Sequence, residues 1–309
     1  MFIHLAAFFS CATALGYLTE SRPHAQVVAL NDAKSGVRVI LVGCMHYNPS
    51  SIELASSIVH GLGASNSLKA VCLETCTQRW ERTLRTQPQG STLRSVLDNE
   101  MQAAQEAGMK FDVPIILADQ NISVTNQRLK ETLTQSVSDL ASMRPNRIVD
   151  DILNVRDIVF PLDPSVPSLG WADFFDGSLL AAAPISFLRY PAALFIKKPL
   201  IGVLFAVISV ISVNAGATVV IDGGAPDAVA FDPLTARLVD VAITGLTVAL
   251  ETFLLTRTFV VALLAERNLV LADSVRKACC METPSQKGAV VAVLGAAHVS
   301  GVARLLRTS

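Results

Sequence analysis

Charge is scarce in this chain. Of its 309 residues, 17% are charged and 51% are hydrophobic. So apolar a composition points to a membrane or a deeply buried insert rather than to an ordinary soluble enzyme. The net charge is −1, which leaves no basic excess for a phosphate backbone, so nucleic acid is excluded as a partner. The six cysteines lack zinc-ribbon spacing and a dense disulfide framework. Histidine is also sparse, at five, which makes its placement informative.

A basic n-region is missing from the start of the chain. Even so, "MFIHLAAFFSCATALG" followed by "YLTESRPHA" resembles the apolar core of a signal peptide, with Ala12-Thr13-Ala14 as a small-x-small site. We expect residues 1–22 to be a signal-like targeting segment. The alternative is an N-terminal helix or anchor that stays.

What is present is a repeated phrase. "VRVILVGCMH" ends an apolar β-branched run in Gly43 and reaches His46; "AVVAVLGAAH" repeats this with Gly295 and His298. The first run is half of a hairpin, because "HAQVVALNDAKSGVRVILVG" carries a turn signal over Asn31–Gly36. Pro49 and Ser50 then open a helix with apolar 3–4 spacing. "LKAVCLE" reads as a strand ending at Glu74, and "VPIILAD" as one ending at Asp119. A helix over about Leu93–Ala107 stands between them, stopped by Gly108. Strand–helix–strand order of this kind predicts an α/β domain with a mixed, largely parallel sheet flanked by helices. From Val124 to Val159 the pattern is helical and polar, and "FPLDPSVPSLGW" breaks it.

A hydrophobic helical insert is expected next, over 177–257. It divides the α/β domain into 24–176 (with a helical extension) and 258–309. Residues 200–221 carry no charge and are long enough to cross a bilayer. If His46 and His298 share one site, the number of spans between them must be even. Residues 178–196 can pair with 200–221 around Lys197-Lys198, or 200–221 with about 239–261. Glu251 and Arg257 would be costly in lipid. The first pairing is therefore preferred, which sets the domain in a lumen or outside. Membrane lipid is thus an expected partner, and a membrane of the secretory pathway or an organelle the expected location. A helical insert packed on itself is the alternative.

The carboxyl ends of parallel strands share one edge, where α/β proteins bind ligands. That edge would collect His46, Glu74, Asp119 and His298. Gly43 and Gly295 allow sharp exits and close approach there. Two imidazoles and a carboxylate are a ligand set for catalytic zinc and related divalent metals, with a position left for water. Glu74 is either third ligand or general base. Arg79 either neutralises an oxyanion or pairs with a carboxylate such as Glu266. Asp119 caps a helix or serves the site. Glu266 and Arg267 serve the site or brace the sheet as a buried pair. Cys44 and Cys76 are soft ligands, a nucleophile, or plain buried thiols.

Five blocks together resemble the TraB/PrgY (pheromone shutdown) family, which is related to TIKI proteins and the erythromycin esterase/ChaN-like clan. They are "VILVGCMH", "AVCLETCTQRW", "ILADQNISVTNQRL", "LLAERNLVLADSV" and "VVAVLGAAHVSGV", in that order, over 24–128 and 258–306. The resemblance implies a mixed α/β sheet domain and, for the TIKI branch, metal-dependent proteolysis. Carried onto this chain, it implies His46, His298 and Glu74 as the metal site, holding Mn, Co or Zn. Arg79, Asp119, Arg128, Glu266 and Arg267 match recurring polar positions. The family's "ADR" reads Ala118-Asp119-Gln120 here, and its "ERD" reads Glu266-Arg267-Asn268, so one base and one acid are replaced. The expected function is a divalent-metal-dependent hydrolase, a peptidase acting on a peptide or protein. The alternative is a non-catalytic membrane adaptor or regulator on the same scaffold.

Overall fold

A computed structural model describes residues 21–160, 166–170, 172–173, 176–197, 241–242, 245, 253, 255–282 and 288–308. The bulk of the signal-like segment and the uncharged run 200–221 lie outside these residues.

Six strands form one sheet: β1 Ser21–His24, β2 Val27–Asn31, β3 Arg38–Cys44, β4 Leu68–Leu73, β5 Ile115–Leu117 and β6 Ala289–Gly295. Their spatial order is β1-β2-β3-β6-β4-β5. The first three are antiparallel neighbours; β3, β6, β4 and β5 run parallel. The mixed, largely parallel α/β sheet expected from the strand–helix alternation is therefore what forms. β1 was not foreseen.

The helices cover both faces. We number them α1 Pro49–Ala64, α2 Thr77–Thr86, α3 Thr92–Val96, α4 Glu100–Met109, α5 Ile122–Ala141, α6 Pro145–Val159, α7 Gly177–Lys197, α8 Glu266–Cys280 and α9 Ala296–Arg307. Alternate residues of the central strands point to opposite faces. Ile40, Val42, Val71, Val291 and Val293 pack with Ile58, Leu62 and Ala104 of α1 and α4. Leu41, Cys72, Ala292 and Leu294 pack with Leu271, Val275, Val302 and Leu306 of α8 and α9. Burial on both faces explains why β3, β4 and β6 read as continuous apolar runs. Each buried Val, Leu or Ile contributes about 1.5–3 kcal/mol.

Two helical expectations change. The helix read as Leu93–Ala107 is two, because Asn99 accepts from Gln102 N and starts α4 afresh. The polar stretch 124–159 is also two helices, α5 and α6, parted where Met143 turns left-handed (φ 55°) just before Pro145. Thr258–Ala265, ahead of α8, is π-helical.

The transmembrane helix is a correction. Among the described residues no helix is long and apolar enough to cross a membrane. Helix α7 has the length, but Pro184, Arg189, Pro191 and its serines interrupt the apolar character. It lies against the entrance of α1 instead: Asn48 Nδ2 donates to the Leu179 carbonyl at 3.1 Å and Ser50 Oγ to that of Ser178 at 3.0 Å. In the other candidate, Arg257 is 2% exposed and pairs with Asp139 (2.8 Å) and Asp151, so its charge is met by protein.

Candidate active site

The parallel register brings the strand ends level. Cys44 faces Gly295 across β3 and β6, and Leu73 faces both Val293 and Leu117. The residues just beyond those ends therefore meet at one rim.

His46 follows β3 in a tight turn, in which Asn48 N donates to the Met45 carbonyl at 3.0 Å. Tyr47 takes φ 62° there, and Asn48 caps α1. The turn is held by a residue the sequence reading missed. Glu100, buried at the start of α4, takes His46 Nδ1 at 2.5 Å and Tyr47 N–H at 3.2 Å. Only the ordinary Asn99-Glu100 helix start marked it in sequence. Burial lowers the His46 pKa, but Glu100's charge and hydrogen bond outweigh it and raise the imidazole to about 9. Its side chain is 39% exposed, so water screens part of this pull.

His298 lies in the first turn of α9 and is 4% exposed. Its Nε2 is 3.3 Å from Glu74 Oε1, and its Nδ1 is 2.7 Å from Asn268 Oδ1. Asn268 also escaped the sequence reading, which saw it only as a missing acid.

Glu74 is the hub. Oε1 meets His298 and Arg267; Oε2 accepts from Gly295 N. Burial raises its pKa, yet His298, Arg267 and His46 together hold it well below the usual carboxylate range. A Cβ added at Gly295 would sit 3.1 Å from His46 Nε2 and 3.2 Å from Glu74 Oε2. That glycine therefore leaves room between the imidazole and the carboxylate.

His46, Glu74, His298 and Arg267 line one cavity of about 510 Å³, with Leu169, Leu179, Tyr190, Phe259 and Leu264 on its apolar walls. Two of those residues, Phe259 and Leu264, lie on the π-helical turn, which leads directly into Arg267. Such turns recur at functional sites.

Other expected residues lie behind or away from this cavity. Asp119 receives both Arg267 (3.0 and 2.7 Å) and Arg79. Arg79 is thus an ion-pair partner and is absent from the cavity lining. Glu266 turns away to Arg128, at 2.5–3.1 Å, so Glu266 and Arg267 do not brace each other. Cys44 lines the cavity, and burial, with Glu100 and Glu74, pushes its thiol well above its usual range, which favours the plain buried thiol over a free nucleophile. Burial raises the Cys76 pKa as well, but hydrogen bonds involving Arg79 and Ile122 outweigh it.

The donor set suits a divalent metal in kind. Each imidazole is tied through Nδ1 to an outer partner and turns Nε2 inward, that of His298 onto Glu74, the usual orientation of histidine ligands. The spacing of a finished site is not there. Among the described residues no group of three or more His, Cys, Asp and Glu is placed to hold a metal ion. Both Glu74 oxygens are engaged, by Arg267 and His298 on one side and Gly295 on the other.

No family model, curated protein or solved structure matches the chain.

Proposed function

We propose that the chain is a hydrolase, a peptidase of the TraB type, acting on a peptide or protein at the His46–Glu74–His298 cavity. The observation that carries this reading is the convergence of two Nδ1-anchored imidazoles on one buried carboxylate beside a cavity of about 510 Å³. The five sequence blocks that resemble the TraB/PrgY family support it.

His46, His298 and Glu74 would hold a divalent metal, which supplies Lewis acidity and a nucleophilic water near neutral pH. Glu74 stays ionised because its pKa is held low, so it suits an anionic ligand better than a general base. Against burial, Glu100 raises the His46 pKa in the metal-free protein, so metal binding there would have to displace the Nε2 proton. Bound on the cavity side, a scissile carbonyl would face Arg267, whose guanidinium favours developing negative charge. The apolar walls exclude water from the substrate's flanking groups.

One observation favours the second reading, a non-catalytic adaptor on the same scaffold: the Arg267–Glu74 ion pair occupies the carboxylate. Both readings are tested by assaying purified protein on a peptide library with Mn, Co or Zn added. Metal-dependent cleavage that is lost in His46→Ala and in His298→Ala supports the hydrolase. Cleavage that survives both substitutions refutes this site, and none with any metal leaves the adaptor.

A further inference from the structure

The ring of His298 is held by a buried carboxamide that also ties α8 to the end of α6. Asn268, on α8, is completely buried. Its Oδ1 is 2.7 Å from His298 Nδ1, and its Nδ2 donates to the Ile158 carbonyl at 3.1 Å. That second bond fixes the amide's orientation. Flipping the carboxamide would set two carbonyl oxygens against each other in a buried space. The oxygen therefore faces the ring, and the ring nitrogen opposite it must be the donor.

Space for this arrangement is cleared by Gly301. It lies three residues after His298 on the same face of α9. A Cβ there would overlap both Asn268 Nδ2 and the Ile158 carbonyl oxygen. Glycine costs helix stability, on the order of 1 kcal/mol relative to alanine. Here it admits the carboxamide.

We propose that Asn268 is the positioning residue of His298: locked by Ile158 and admitted by Gly301, it keeps the proton on Nδ1 and turns Nε2 onto Glu74 and the cavity. Unlike Glu100 on His46, it does so without charge. The carboxamide orients its ring but adds no anion to a region where Glu74 and Asp119 are already buried. The proposal deepens the hydrolase reading, since it concerns the same imidazole. It stands on the ring's own proton and is measured without turnover.

The test is long-range proton–nitrogen NMR on full-length protein labelled with 15N-histidine, with His298 assigned by its loss in His298→Gln. The expected wild-type spectrum has a protonated Nδ1 whose proton exchanges slowly with water. Asn268→Asp should keep that proton. In Asn268→Leu and in Gly301→Ala its exchange should accelerate at least tenfold, or the Nδ1 proton should be lost. A wild-type ring protonated only on Nε2 overturns the proposal. So does an Asn268→Leu ring indistinguishable from wild type. Should the leucine variant fail to fold, the wild-type and Asn268→Asp spectra still decide, because loss of the Nδ1 proton in either is refuting. Failure of the hydrolase reading has a separate signature, absence of cleavage with any metal while the Nδ1 proton persists.

Discussion

Replacing Arg267 by methionine should be among the most damaging single changes in the molecule. Arg267 reaches both Glu74 and Asp119, whose side chains are 4% and 0% exposed. Methionine roughly keeps the length and apolar character of the stem but deletes three hydrogen bonds. The two carboxylates would remain buried with less compensation. Removing one partner of a buried charge pair costs about 3–5 kcal/mol. Glu74 keeps Gly295 N–H and His298, and Asp119 keeps Arg79 and Gln120 N–H, so the lower end, ~3 kcal/mol, is expected. Arg79→Met is the control. Its side chain is 34% exposed and Asp119 would still hold Arg267, so the loss should be about 1 kcal/mol or less. Urea unfolding followed by circular dichroism, with equal slopes checked across variants, measures both. The double change Arg267→Met/Asp119→Asn should cost less than the sum of its parts, because removing the carboxylate's charge relieves the deficit. A loss below about 1 kcal/mol in Arg267→Met, or equal losses at Arg267 and Arg79, would refute the assignment of Arg267 as the bridging cation.

Gly295→Ala should leave the fold nearly unchanged but crowd the site, since its Cβ would stand 3.1 Å from His46 Nε2 and 3.2 Å from Glu74 Oε2. Thermal melting and metal titration in parallel check this, and a melting point lowered as far as in Arg267→Met counts against it. Stability should fall as pH rises through the alkaline range. The folded His46 pKa of about 9 lies above the ordinary 6.5, so its contribution is full below 6.5 and gone above about 9. Glu100→Gln should flatten that limb in urea unfolding at several pH values. Glu74 acts in the opposite sense: its depressed pKa contributes above the ordinary 4.5 and is lost as pH falls through the folded value. Arg257→Met strips the buried partner from Asp139, whose side chain is 7% exposed, leaving only the longer Arg147 contact at 3.6 Å, and should cost about 3 kcal/mol by the same urea assay.

The sheet was legible because its strands are bounded by sharp signals. Apolar runs end at Gly43 and Gly295, and β3 and β6, buried along nearly their whole length, are short, β-branched stretches that read as strands rather than helices. His46, Glu74 and His298 could be assembled on paper for the same reason, since parallel strand ends define a rim without any knowledge of side-chain contacts. Glu100 and Asn268 could not. Each is a polar residue at an ordinary helix start, and its partner lies 54 residues away in one case and 30 in the other. For Arg79 the ion-pair alternative is the one that forms, with Asp119 as the carboxylate, a choice that proximity in sequence to Glu74 could not make. Helix α7 misled through composition: its apolar residues suggested a span, but Leu179 and Ala183 are buried while Phe187 and Leu188 stay exposed.

The position of β6 has a consequence for biosynthesis. Residues 289–295 occupy the middle of the sheet, between β3 and β4, which were translated long before. Until that late segment leaves the ribosome, both older strands present unsatisfied edges flanked by apolar faces, the kind of surface that invites aggregation. The growing chain must therefore wait, shielded, for its final pairing, and a nascent polypeptide halted before residue 289 should require a chaperone to stay dispersed.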